Sequence, residues 1–349
     1  MSTKLTRTPD FEQFLKVLQR RGRPDHLPFY EHYASPGFIA RRTETHIDKM
    51  GFDDEGYWRI YVDFWLGMGY DCIPMEIPLN CSLAAGHDAV SEGSEAHTII
   101  RNRQEYESYP WPDESNPIDF RHFETVASLL PEGVKIVGGV CMGPYEWVSQ
   151  MMGTVGLSYA LADDPELVGE MFGRIGSLIH SADRQLAPMD AIGALRQGDD
   201  LGFKTATFLS PDLLRQYVFP TYKKITAEAH KAGKPFILHS CGNLAEVYED
   251  LIEDCKIDAK HSFEDVIMPI AEFKKQYGHR ITPLGGLDVD VICRSSEDDL
   301  RAYARKMIEE CFIEGDGHWA LGTGNSLTDY MPVEKYIAVL EEGIRIAGS

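Results

Sequence analysis

The sequence predicts a single (β/α)8 barrel of the TIM type. Three observations predict it: eight short apolar runs, helical stretches between them, and polar, glycine-flanked residues where nearly every run ends. The runs are Leu27–Tyr33, Asp71–Ile77, Lys135–Val140, Ala191–Gln197, Pro235–His239, Ala259–Phe263, Ile281–Leu287 and Trp319–Leu321. Short continuous apolar runs of this kind suit parallel strands buried on both faces. Helical segments follow at Tyr57–Met68, Pro144–Leu161, Pro165–Leu186, Pro211–Ala232, Leu244–Glu253, Pro269–Gln276 and Glu297–Cys311. A last helix spans Pro332–Ile346, with proline in its first turn and Gly348 just past its end. Regular β-α alternation implies parallel strands joined by right-handed crossovers. An open doubly wound sheet is the rival architecture, but Gly138-Gly139 and Gly285-Gly286 lack the spacing of a phosphate loop or dinucleotide fingerprint.

The alternation has one irregular gap, from Pro78 to Pro131, between the second and third strands. It holds polar segments and Tyr109-Pro110-Trp111-Pro112, and reads as an insertion over the barrel mouth or as a surface excursion with no part in chemistry. At 349 residues the chain could hold two domains, yet α/β barrels of this length form one, and a single domain over 1–349 is expected.

Composition narrows the function classes. With 34 basic and 55 acidic side chains the net charge is −21, which repels nucleic acid and anionic membranes. The seven cysteines are odd in number and form no CxxC pair, a reduced intracellular pattern in which a special cysteine is reactive or metal-binding. Met1–Asp10 is polar, with no apolar core of a signal peptide, and no run approaches the roughly 18 apolar residues that span a bilayer. A cytoplasmic protein is expected.

In such barrels the chemistry gathers at the C-terminal ends of the strands. Glu31 and His32 end the first strand, Glu76 the second, and Cys141-Met142-Gly143-Pro144 the third. Gly198-Asp199-Asp200 follow the fourth, His239-Ser240-Cys241-Gly242-Asn243 the fifth, and His261-Ser262-Phe263-Glu264-Asp265 the sixth. Asp288 ends the seventh, and Gly322-Thr323-Gly324-Asn325-Ser326 the eighth. Carboxylates and imidazoles collected at one rim cost desolvation unless something binds them.

The sharpest unit is His239-x-Cys241. Alternate residues of a strand share a face, so imidazole and thiol can both aim into the mouth as zinc-type ligands. A third donor would come from Cys141, Glu76 or Asp200; the alternative is a satisfied buried histidine beside an ordinary buried cysteine. Asp199 and Asp200, being adjacent, must diverge, so at most one faces the pocket, as ligand, base or hydrogen-bond acceptor; the alternative, of equal weight, is an Asp that caps the following segment. Glu76, Asp200 and Glu264 are the catalytic candidates, Glu264 reading equally as a solvated loop acid. Met142, Asp199, Asn243, Asp288, Thr323 and Asn325 are candidates for substrate contact. Tyr57-Trp58 and Trp65 read as core.

Several of these segments resemble the uroporphyrinogen decarboxylase superfamily. The resemblance rests on Met142-Gly143-Pro144-Tyr145-Glu146, Asp163-Asp164-Pro165-Glu166, Gly198-Asp199-Asp200-Leu201-Gly202, Leu209-Ser210-Pro211 and Phe219-Pro220-Thr221-Tyr222-Lys223. Leu238-His239-Ser240-Cys241-Gly242-Asn243, Gly285-Gly286-Leu287-Asp288, Leu321-Gly322-Thr323-Gly324 and Pro332-Val333-Glu334 add to it, so that most of the chain from about Leu27 onward is covered. It implies a (β/α)8 barrel and, with it, a plausible homodimer. True decarboxylases carry an arginine-rich segment after the first strand for porphyrinogen carboxylates, where this chain reads Glu31-His32-Tyr33-Ala34-Ser35. They also place a histidine between the two late glycines, where Thr323 stands.

The chain is more similar to the cobalamin-dependent methyltransferase arm, whose members use His-x-Cys as zinc ligands. That resemblance implies zinc at His239 and Cys241, with Cys141 or a carboxylate completing the set. It also implies methyl transfer between a corrinoid, free or on a partner protein, and a small acceptor such as a thiol or a folate. Relatives in that arm carry a further cysteine ligand at the Thr323 position, which counts against a coenzyme M-type thiol acceptor. A decarboxylase-type lyase of tetrapyrrole metabolism and a non-catalytic corrinoid- or tetrapyrrole-binding barrel are the alternatives.

Overall fold

The computed structural model describes residues 5, 7–83 and 98–348. Six parallel strands lie side by side in chain order: β1 (Cys72–Pro78), β2 (Lys135–Cys141), β3 (Ile192–Gly198), β4 (Phe236–His239), β5 (Ala259–His261) and β6 (Thr282–Leu284). They coincide with the six central runs to within a few residues at each end. The first and eighth runs continue the sheet through single parallel bridges, Ala320 to Leu284 of β6 and Leu321 to Phe29. Tyr30 N donates to Leu321 O and Leu321 N to Pro28 O, both at 2.9 Å. Pro28 has no N–H to give to a ladder, which limits pairing in the first run.

Among the described residues no backbone bridge joins the first run to β1. Side chains span that seam of the barrel. Arg7 donates to Leu27 O at 2.8 Å and forms an ion pair with Asp71, which His26 also approaches at 3.1 Å.

The barrel interior is apolar at the base. Tyr30, Cys72, Val137, Ala194, Ile237, Ala259, Leu284 and Ala320 form one buried cluster with Phe11, Phe14, Val17 and Leu18 of the helix Phe11–Gln19. That amphipathic helix, capped by Asp10, plugs the N-terminal end, where Phe14 stacks on Tyr30 at 5.4 Å. Sequence analysis did not anticipate it, although Phe11, Phe14 and Leu18 recur at helical spacing.

Outside the barrel, Pro165–Leu186 is helical to the residue, with Asp164 accepting from Leu167 N as its cap. The expected helix Pro144–Leu161 is two helices, Pro144–Met152 and Thr154–Asp163, because Gly153 between them sits at φ 75°. Within Pro211–Ala232 a π-turn at Leu214–Val218 precedes the helix Phe219–Lys231. Pro220 cannot donate back to Gln216, and the wider turn absorbs the missing bond. Leu244–Glu253 holds only a 3-10 turn, Ala245–Val247, and the start of a π-turn, Asp250–Asp254.

The long connection from Pro78 to Pro131 contains helices Arg103–Ser108 and Arg121–Leu129. The second packs on Tyr57–Gly67, where Trp58 Nε1 donates to His122 Nδ1 at 3.1 Å, and so supplies the crossover between β1 and β2. Other parts dock on the outer helices: Ile99 and Ile100 donate to Met151 O, and Ser181 Oγ donates to Glu114 O at 2.6 Å. Residues 84–97 of this connection, part of the expected insertion, lie outside the described residues.

Candidate active site

One pleat above the apolar cluster the same strands turn polar. Two residues beyond Tyr30, Ala194, Ile237 and Ala259, on the same face, come His32, Arg196, His239 and His261, all buried. Register aligns them: Glu76 lies beside Gly139, Gly139 beside Arg196, and Gly198 beside His239, which lies beside His261. Gly198 makes room for this packing, since a Cβ there would stand 2.7 Å from His32 Nε2.

Glu76 is held by Arg196 Nη2 at 2.5 Å and lies 3.3 Å from His32 Nε2. Arg196 also donates to the His32 carbonyl. The carboxylate is therefore an ion-pair partner and not the lone desolvated acid of a free general base. His32 stacks on His239 with ring centroids 4.2 Å apart.

His239 Nε2 lies 3.5 Å from Cys241 Sγ and 3.6 Å from Asp200 Oδ1. One ligand atom from each of Asp200, His239 and Cys241 falls within 4.8 Å of the others, a spacing that one metal ion can satisfy. Asp200 Oδ1 also accepts from Cys241 N at 2.9 Å, which fixes the carboxylate. Ser262 Oγ and Asn325 Nδ2 contact the Cys241 sulfur at 3.3 and 3.5 Å.

Burial pushes the Cys241 thiol up, and the Asp200 carboxylate adds to this, so the thiol keeps its proton at neutral pH. Burial, with His32 and His261 as neighbours, holds the His239 imidazole well below its ordinary value and therefore neutral, the form that ligates.

Cys141 does not join this trio. It lies at the end of β2 near Glu76 and Glu146, and burial with those two acids raises its thiol well above the usual range. The oxygen of Asp200, not the Cys141 sulfur, is the third donor that the geometry provides.

The remaining candidates divide. Glu264, Asp288 and Asn325 line a groove of about 220 Å3 with Lys204, Phe263 and Tyr330, and Asn325 connects it to Cys241. Asp288 also caps Val289–Arg294. Asp199 turns away from Asp200 and is fully buried. It accepts from Tyr145 N, Glu146 N and Tyr222 Oη, and burial lifts its carboxyl to about 7. Asn243 Oδ1 accepts from Ala245 N in a local turn, and Met142 is half-buried at φ 62°.

Thr323 is fully buried, its hydroxyl donated to Glu31 at 2.7 Å. Glu31 accepts from Tyr336 as well, and burial raises it to about 7. It is fully buried behind Thr323 and Tyr336.

Sequence reasoning placed His32 and His261 at the rim without giving them a role, and it missed Arg196 and Glu146 as parts of the site. Burial first, then Asp199, Asp200 and Glu76, raise the Glu146 carboxyl well above the usual range. The available signal was a charge inside an apolar run, Ala194-Leu195-Arg196.

An α/β barrel with its titratable side chains collected at the C-terminal strand ends has the architecture of a barrel enzyme. Residues 78–343 match the family described as Uroporphyrinogen decarboxylase (URO-D). The match spans well over half of the sequence, and the chain belongs to that family. No curated protein matches it. No helix among the described residues is long and apolar enough to cross a membrane.

Proposed function

We propose that the protein is a zinc-assisted methyltransferase that moves a methyl group between a corrinoid, free or carried by a partner protein, and a small acceptor. The observation that supports this is the trio Asp200, His239 and Cys241, three donors of zinc-compatible chemistry within 4.8 Å at the ends of adjacent strands. Bound there, zinc would supply the positive charge that keeps an acceptor anion deprotonated at neutral pH. The chain's own contributions are separable. Asp200 steadies the Cys241 backbone while offering an oxygen, and Ser262 and Asn325 steady the sulfur. His32 stacks on the His239 ring and the tilted His261 ring flanks it, so that His239 is buried.

Porphyrinogen decarboxylation is less well supported. Arg196 is engaged by Glu76 and the His32 carbonyl, so its charge is not free for substrate carboxylates. Incubation with uroporphyrinogen III is expected to yield no coproporphyrinogen.

The deciding experiment is elemental analysis of protein purified without chelator, paired with a methyl-transfer assay from methylcobalamin. About one zinc per chain is expected, falling sharply in Cys241→Ser because a hydroxyl is a poor ligand at neutral pH. Wild-type protein that holds no zinc after growth in zinc-supplemented medium would overturn the proposal.

A further inference from the structure

The His239 ring is held at both nitrogens. Its Nε2 faces Asp200 and Cys241, while its Nδ1 lies 2.7 Å from Nδ1 of His261. One hydrogen lies between those two nitrogens, and its owner decides what Nε2 offers. If His239 Nδ1 carries it, Nε2 is a lone pair; if His261 does, Nε2 is an N–H that fills the place of a cation.

The far side of His261 breaks the tie. Its Nε2 is buried without a well-formed partner and lies against the Thr323 carbonyl. A Cβ on Gly285 would come within 2.2 Å of Thr323 O and 2.8 Å of His261 Nε2, so the two atoms flank one glycine. A carbonyl only accepts. A hydrogen on His261 Nε2, leaving its Nδ1 as acceptor, avoids two opposed lone pairs. The reverse tautomer gains little in return: His239 Nε2 and Asp200 Oδ1 at 3.6 Å are too far apart for a hydrogen bond, and the Cys241 sulfur at 3.5 Å is a weak acceptor whose own S–H can instead donate to an Nε2 lone pair. Thr323 cannot swing away, since Glu31 accepts from both its N–H and its hydroxyl, at 2.5 and 2.7 Å.

We propose that His261 is a positioning residue that holds His239 in the Nδ1–H tautomer, anchored through Thr323 by Glu31, so that His239 Nε2 is presented as a lone pair between Asp200 and Cys241. The use of that lone pair rests on the metal reading above; the tautomer itself does not.

The test is nitrogen-15 NMR of histidine-labelled, metal-free full-length protein, with zinc affinity measured by competition against a chromophoric chelator. His239 is expected as Nδ1–H in the wild type and not in His261→Leu. Zinc affinity should fall about 10- to 100-fold in His261→Leu, the usual effect of losing an outer-shell partner of a ligand. In His261→Asn, whose carboxamide oxygen can accept from Nδ1–H, it should stay within about threefold of wild type. His239 found as Nε2–H in the wild type would overturn the proposal whatever the zinc result. So would an Nδ1–H signal that His261→Leu leaves unchanged. An Nδ1–H tautomer that depends on His261, in a protein that takes up no zinc, would uphold the positioning role and overturn the metal reading instead.

Discussion

Two layers inside the barrel, one pleat apart on the same strands, are held together in opposite ways. In the lower layer Tyr30, Ala194, Ile237 and Ala259 are shut off from water within an apolar cluster, with Phe14 at the base and the Tyr30 ring meeting His261 edge-on above. In the upper layer His32, Arg196, His239 and His261 are also buried, yet each carries groups that burial penalises. Removing water from apolar surface stabilises the first layer directly. The second repays desolvation only through its pairings, Arg196 with Glu76 and His239 with His261. Fold stability should therefore reside below and the chemistry above.

Substitutions can break that contrast. Ile237→Ala, which opens a cavity in the lower layer, should cost about 4 kcal/mol in urea unfolding and leave zinc stoichiometry unchanged. Lost zinc binding in a folded Ile237→Ala protein would mean that the layers are not separable. Arg196→Met should cost about 2–3 kcal/mol, less than the full penalty for breaking a buried pair because Glu76 keeps some access to water. A variant as stable as wild type would show that the upper layer tolerates being apolar. Cys241→Ser should change the unfolding free energy of the metal-free protein by less than about 1 kcal/mol while removing the proposed zinc, the sharpest separation of the two roles.

A buried carboxyl adds a pH dependence. Glu31 is raised from an ordinary 4.5 to about 7, so between those values the folded state holds a proton that the unfolded chain has lost. Stability should fall as pH rises through this window, by at most about 1.4 kcal/mol per pH unit, and level off above it. Glu31→Gln should flatten part of that slope in unfolding midpoints taken from pH 4.5 to 7.5. Asp199, raised to about 7 by its own burial, shares the remainder with the buried Glu146 and Asp183, both also raised. An unchanged slope in Glu31→Gln would show that Glu31 is not the titrating group.

Much of the barrel was legible in local pattern. The helix Pro165–Leu186 announces itself with Asp164, a proline in the first turn and an apolar stripe, and it forms as expected. The divergence of Asp199 and Asp200 followed from adjacency alone: one caps Pro144–Met152 and the other faces His239. Less legible was the π-turn before Phe219, which depends on how the helix takes up one missing donor.

By itself the sequence determined the alternation of elements, the shared face of His239 and Cys241, and the polar character of the strand ends, since each is a matter of residue period and chain order. Only the tertiary structure decided that Asp200 and not Cys141 completes the trio, that Glu76 is bound by Arg196, and that Glu31 lies behind Thr323. Those partners are far apart in sequence, Arg196 and Glu76 by 120 residues and Glu31 and Thr323 by 292. Their meeting depends on strand register and on how the ring closes, which no local pattern encodes.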